Sequence, residues 1–167
     1  RNDSNFKIIY GDCHFYDIVN EHKKNPSNKG AAIHYFSNGC SIADFEIINC
    51  KFKRNKSHFH GGAISICGSG SVLIQSCEFN SNEAGFQEQK FIINKQGFGG
   101  AIFLNPSFNL NGKERFMKVV DIKECSFRNN CGYQGLAIYI EGENYKTTFC
   151  IINNTISNDL CFRNLIE

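Results

Sequence analysis

Apolar positions along this chain follow one spacing: two apart, then a step of three, then two apart again. The full template is apolar-x-apolar-x-x-Cys-x-Phe-x-x-Asn. It reads Phe45, Ile47, Cys50, Phe52, Asn55, then Val72, Ile74, Cys77, Phe79, Asn82, and again Val120, Ile122, Cys125, Phe127, Asn130. Looser copies stand at either side: Ile8, Tyr10, Cys13, Phe15 with Ile18 in the asparagine position, and Phe149, Ile151, Asn154, Ile156, Asp159. A second element alternates with the first, as Ala32-Ile33-x-Tyr35, Gly61-Gly62-Ala63-Ile64-x-Ile66, Gly99-Gly100-Ala101-Ile102-x-Leu104 and Ala137-Ile138-x-Ile140. Ordered self-similarity of this kind is the mark of a repeat architecture.

Residues two apart share one face of a strand, so both arms of the template predict short strands. The step of three breaks the alternation and predicts a bend there, with the residues on either side of it still facing inward. Each copy then reads strand, bend, strand, turn, strand: three short strands around one coil. Like residues at like positions stack into aliphatic, aromatic and cysteine ladders. The asparagine after the Phe strand is expected to adopt the left-handed conformation and to bond neighbouring backbone. The glycine pair before Ala-Ile suits a corner that needs positive φ. The fold expected is all-β: a right-handed, single-stranded parallel β-helix, a solenoid of about five coils. It occupies residues 1–167 as one domain, or forms a segment of a longer β-helix.

Composition agrees with strands and turns. The 167 residues hold 20 Ile, 21 Asn and 16 Phe, against 13 Ala and Leu together, the reverse of a helical mix. The net charge is +2 and no basic run exceeds two residues, so nucleic acid is not an expected partner. No apolar run is long enough for a membrane-spanning helix. No charged segment followed by an apolar one opens the sequence, so any leader is expected to be already removed or to lie outside it.

The nine cysteines contain no C-x-x-C and no pair followed by spaced histidines, so neither a metal site nor a cofactor is expected. Cys13, Cys50, Cys77 and Cys125 fall on inward template positions and read as small apolar side chains. Cys40 and Cys67 share one turn of successive coils, as do Cys131 and Cys161, which makes these two pairs the disulfide candidates. Cys150 faces outward as the odd thiol. N-glycosylation sequons begin at Asn2, Asn55 and Asn153. Asn55 falls on the buried ladder, leaving Asn2 and Asn153 as candidates.

Two long insertions, Glu83–Phe98 and Asn105–Val119, flank the Gly99–Leu104 strand. Insertions in solenoids gather on one face and often bind. They bring Phe86, Lys90, Phe91, Phe108, Lys113 and Arg115 toward one edge, as packing residues or as a partner-binding surface. An active site is harder to find. Glu78 and Glu124 sit two template steps apart on neighbouring strands rather than as a facing acid pair, and no G-x-S-x-G elbow occurs. No catalytic residue is assigned. The expected function is a non-catalytic scaffold or adhesion module binding a protein or a glycan. The alternatives are a structural subunit of an extracellular filament, self-assembling through its coil ends, and a carbohydrate-active, pectinase-like enzyme.

The alternation of Gly61-Gly62-Ala63-Ile64 and Gly99-Gly100-Ala101-Ile102 with Phe52-x-x-Asn55, Phe79-x-x-Asn82 and Phe127-x-x-Asn130 resembles the repeat of chlamydial polymorphic membrane proteins and related surface β-helix proteins. The resemblance covers roughly residues 8 to 159. It implies display outside the cell or at its surface and an adhesive or passenger role, and it brings no catalytic set.

Overall fold

The computed structural model describes residues 5–20, 30–36, 42–68, 70–85, 97–110, 113–141 and 147–157, and among these the chain is all β with no helix. Strands are numbered in chain order. The first arm of the template forms one parallel sheet of β1 (Asn5–Gly11), β5 (Ile42–Ile48), β9 (Ser71–Gln75), β15 (Val119–Lys123) and β18 (Thr148–Ile152). Its register matches the template: Ile8 opposes Phe45, Phe45 opposes Val72, Val72 opposes Val120 and Val120 opposes Phe149. The second arm forms a parallel sheet of β2 (His14–Tyr16), β6 (Lys51–Lys53), β10 (Glu78–Asn80), β16 (Ser126–Arg128) and β19 (Thr155–Ser157). The Ala-Ile elements form a third, of β4 (Ile33–Phe36), β8 (Ile64–Cys67), β12 (Ile102–Asn105) and β17 (Ile138–Ile140). A fourth parallel set, β3 (Val19–Asn20), β7 (Lys56–Ser57) and β11 (Glu83–Ala84), lies between the asparagine and the glycine corner. The sequence predicts three strands per copy; these two-residue strands make four.

The phenylalanines carry the core. Phe15, Phe52, Phe79 and Phe127 stack with centroids 4.8, 4.8 and 4.9 Å apart and planes within 6° of parallel. Ile156 continues the row by pairing with Phe127. The separation is the spacing of hydrogen-bonded strands, about 4.8 Å, so the backbone ladder sets the aromatic one. Each buried ring contributes about 1.5–3 kcal/mol by burial, and stacking adds roughly 0.5–1.5 kcal/mol.

Two left-handed bends per copy keep this core closed. Asp12, Asn49, Ser76, Glu124 and Asn153 have φ of 53–56° and each precedes a residue of the cysteine ladder or Asn154. Asp17, Arg54, Ser81 and Asn129 have φ of 55–57° and precede Ile18, Asn55, Asn82 and Asn130. The left-handed residue is therefore the one before the ladder asparagine, a correction to the expectation that the asparagine itself takes that conformation. One such residue turns the chain so that the next side chain points inward again. Each bend also stays within the hydrogen-bonded ladder: the amides of Asn49, Ser76, Arg54 and Ser81 donate to carbonyls of Gln75, Lys123, Asn80 and Arg128 in the following copy.

The asparagine amides are fully used. Asn82 Nδ2 donates to Phe52 O at 3.0 Å and to Asn130 Oδ1 at 2.9 Å, and Asn82 Oδ1 accepts from Asn55 N and Asn55 Nδ2 at 3.1 and 2.9 Å. The cysteine ladder works alike, its thiols donating to carbonyls of their own and the preceding copy, as Cys77 does to Gln75 O and Ile47 O. In the last copy Asn154 takes the cysteine seat, accepting from Cys125 N and donating to Ile122 O, both at 2.9 Å.

At the third corner Gly61 and Gly99 have φ of 64° and 68°, as expected of the first glycine of each pair. The second glycine answers a different constraint: a Cβ on Gly100 would lie 2.1 Å from Leu136 O and 2.6 Å from Cys131 N.

The proposed Cys40–Cys67 disulfide is not formed. Cys67 is a thiol in β8, and its register neighbours are Phe36 and Asn105, so the adjacent strands bring it no second sulfur. Cys40 lies outside the described residues. Cys131 is disulfide-bonded. Its candidate partner Cys161 lies outside the described residues, as does the glycosylation candidate Asn2.

Candidate functional site

Between β12 and β15 the chain makes an antiparallel hairpin of β13 (Ser107–Leu110) and β14 (Lys113–Phe116). Its register sets Phe108 opposite Arg115 and Leu110 opposite Lys113. The base is clamped. Met117 N donates to Pro106 O at 2.8 Å, the Met117 side chain is fully buried in the core, and Thr147 Oγ1 donates to Met117 O at 2.8 Å. Asn105 Nδ2 adds a bond to Glu141 Oε2 at 2.7 Å. The other insertion leaves and returns through Gly85 and Gly97, packed so closely that a Cβ on Gly97 would lie 2.8 Å from Gly85 Cα. Neither insertion disturbs the ladders: β12 keeps β8 and β17 as partners, and β15 keeps β9 and β18. Of the six residues expected at a partner surface, Phe108, Lys113 and Arg115 lie on this hairpin; Phe86, Lys90 and Phe91 fall outside the described residues.

A second feature was not anticipated from the sequence. Outside the bend between the first two sheets runs an open groove of about 310 Å³. One rim is the row of left-handed residues Asn49, Ser76, Glu124 and Asn153; the other is Lys51, Glu78, Ser126 and Thr155. The bend creates it, because Cys50, Cys77 and Cys125 are drawn into the core and the backbone beneath the rims sinks with them. Glu124 is oriented by Gln75 Nε2 at 3.0 Å and Ser76 Oγ at 3.1 Å, and these donors hold its carboxyl below the ordinary carboxylate value. Glu78 and Glu124 thus line one groove although the template sets them two steps apart. Asn153, the exposed glycosylation candidate, stands at its far end, whereas the Asn55 amide is buried.

The thiols give a check on the inward ladder. Burial pushes the Cys50 thiol up to about 11, and its hydrogen bond with Cys125, followed by burial, raises Cys77. Thiolate is the species that reacts. Iodoacetamide at pH 8 is therefore expected to modify half-buried Cys150 well before Cys50 or Cys77 in the native protein, read by peptide mass spectrometry. Equal rates at all three would contradict the ladder.

Among the described residues no group of three or more His, Cys, Asp or Glu is arranged to hold a metal ion, and no helix is long and apolar enough to cross a membrane. The resemblance to polymorphic membrane proteins rests on the Gly-Gly-Ala-Ile and Phe-x-x-Asn elements alone. Compared with protein families, curated proteins and solved structures, the chain matches no family model, no curated protein and no solved structure.

Proposed function

We propose that the chain is a right-handed parallel β-helix of about five coils that serves as a non-catalytic scaffold or adhesion module at the cell surface, presenting its insertions to a protein or glycan. The parallel crossovers support the right hand, which such connections take in nearly all proteins. The observation that carries the functional reading is the hairpin β13–β14, which leaves a continuous core through a clamped base and returns without shifting the register. A separately paired hairpin beside a continuous core is an economical way to display a contact surface. Phe108 and Arg115, side-chain types that anchor many interfaces, are opposed on it.

The test is a double trim, replacing residues 107–116 and 86–96 by short glycine turns. Loop length itself contributes little to stability, so the trimmed chain is expected to melt as a folded protein. It is expected to lose the capture on protein arrays that depends on the insertions. Full capture by a folded double trim would remove the insertions from the binding account.

End-to-end assembly is a second reading, favoured by one observation. Phe149, Ile151 and Ile156, on ladder positions, remain 39%, 47% and 56% exposed in the last copy. Concentration-dependent sedimentation would support it.

A further inference from the structure

We propose that the polar groove between the first two sheets binds an extended, neutral, hydroxyl-rich chain, that is, an oligosaccharide laid along the repeat axis. This rests on the adhesion reading and deepens it by naming a glycan and placing it away from the hairpin.

The lining chemistry narrows the ligand. Every side chain on the two rims is polar: two amides, three hydroxyls, two carboxylates and one ammonium, with the three cysteines turned into the core. An apolar peptide anchor finds no pocket of its own kind here. A polyanion would face Glu78 and Glu124 against the single ammonium of Lys51. A tightly held divalent cation needs six or more oxygen ligands, and the described residues contain no such cluster. A ligand that both donates and accepts along its whole length, without charge, remains.

Geometry points the same way. Each copy adds one rung, with an amide, hydroxyl or carboxylate on each rim except at Lys51, about 4.8 Å from the last. That is close to the length one hexopyranose adds to an extended chain, so each successive sugar meets a rung of hydrogen-bonding groups, as Ser76 with Glu78, Glu124 with Ser126 and Asn153 with Thr155. The rungs are mostly short side chains on a backbone fixed by the cysteine and Asn154 bonds, so little freedom is lost on binding. Glu124, oriented and ionised by Gln75 and Ser76, is a preformed acceptor in the third rung.

The experiment is an amide NMR titration of the intact chain with three neutral hexasaccharides: β-1,4-glucan, β-1,3-glucan and β-1,4-linked N-acetylglucosamine. At least one is expected to shift the amides of Ser76, Glu78, Ser126 and Thr155 at millimolar concentration while those of residues 107–116 stay still. Ser126→Tyr, and independently Thr155→Tyr, place a ring on the groove rim and are expected to weaken that binding about tenfold or more. Each variant is checked for an unchanged melting transition, so that loss of fold in one leaves the other to decide. No groove shifts with any of the three sugars would overturn the proposal, as would binding that survives both folded variants. Shifts confined to the hairpin would overturn the groove while leaving the adhesion reading standing. Groove binding combined with protein-array capture that is unchanged in the double trim would keep the groove and remove the insertions from the adhesion reading.

Discussion

Asn82→Leu is expected to destabilise the chain by several kcal/mol, a large share of its stability. Asn82 is fully buried, and leucine nearly matches it in shape, so the effect is not one of volume. The substitution strips Phe52 O and Asn130 Oδ1 of a donor and Asn55 N and Asn55 Nδ2 of an acceptor. An orphaned buried polar group costs about 1–3 kcal/mol; Asn130 Oδ1 keeps its bond from the residue 82 backbone amide and Asn55 Nδ2 keeps Phe15 O, so Phe52 O and Asn55 N carry most of the loss. Typical domains hold about 5–15 kcal/mol in reserve. Urea denaturation followed by far-UV circular dichroism is the measurement. A loss under about 1 kcal/mol, the scale of a surface change, would mean that the amides are not in this ladder.

Phe79→Ala is expected to cost about 3–5 kcal/mol by leaving a cavity that its neighbours cannot fill. Phe79 lies between two rings at 4.8 and 4.9 Å, and both are pinned by strand register, so the stack cannot close over the gap. Phe15→Ala supplies the internal comparison. Phe15 is only half-buried and stacks on a single phenylalanine of the ladder, Phe52, so its truncation is expected to cost clearly less. Equal losses at the two positions would contradict a ladder whose ends are more open than its middle.

The register of the sheets was legible in the sequence because the template is periodic in side-chain type, and type is what burial selects. Phe52, Phe79 and Phe127 could be aligned before any coordinates, and they are strand partners. Backbone angle is less visible. Arg54, Ser81 and Asn129 share no chemistry that announces a left-handed bend, whereas the asparagine beside each does, so residue type points to the wrong neighbour. The two-residue strands β3, β7 and β11 are too short to show a period. The hairpin has a readable signal in the sequence, Asn111-Gly112 between Phe108-x-Leu110 and Lys113, a common two-residue hairpin turn sequence. The groove had almost none. Its rims are polar residues on outward positions, which any solvated strand carries, and only the inward pull of Cys50, Cys77 and Cys125 makes them face each other. Of the Cys40–Cys67 pair only Cys67 lies among the described residues, and it is a thiol flanked in register by Phe36 and Asn105.

One measurement bears most directly on the stacked-repeat scaffold from which both binding surfaces are derived. In a protein with selectively protonated phenylalanine rings, NOEs are expected between Phe52 and Phe79 and between Phe79 and Phe127, since these rings lie 4.8 and 4.9 Å apart. No NOE is expected between Phe52 and Phe127, which Phe79 separates. Cross-peaks in that order support parallel stacking of the copies. Their absence in a folded sample, or direct contact between Phe52 and Phe127, would contradict it.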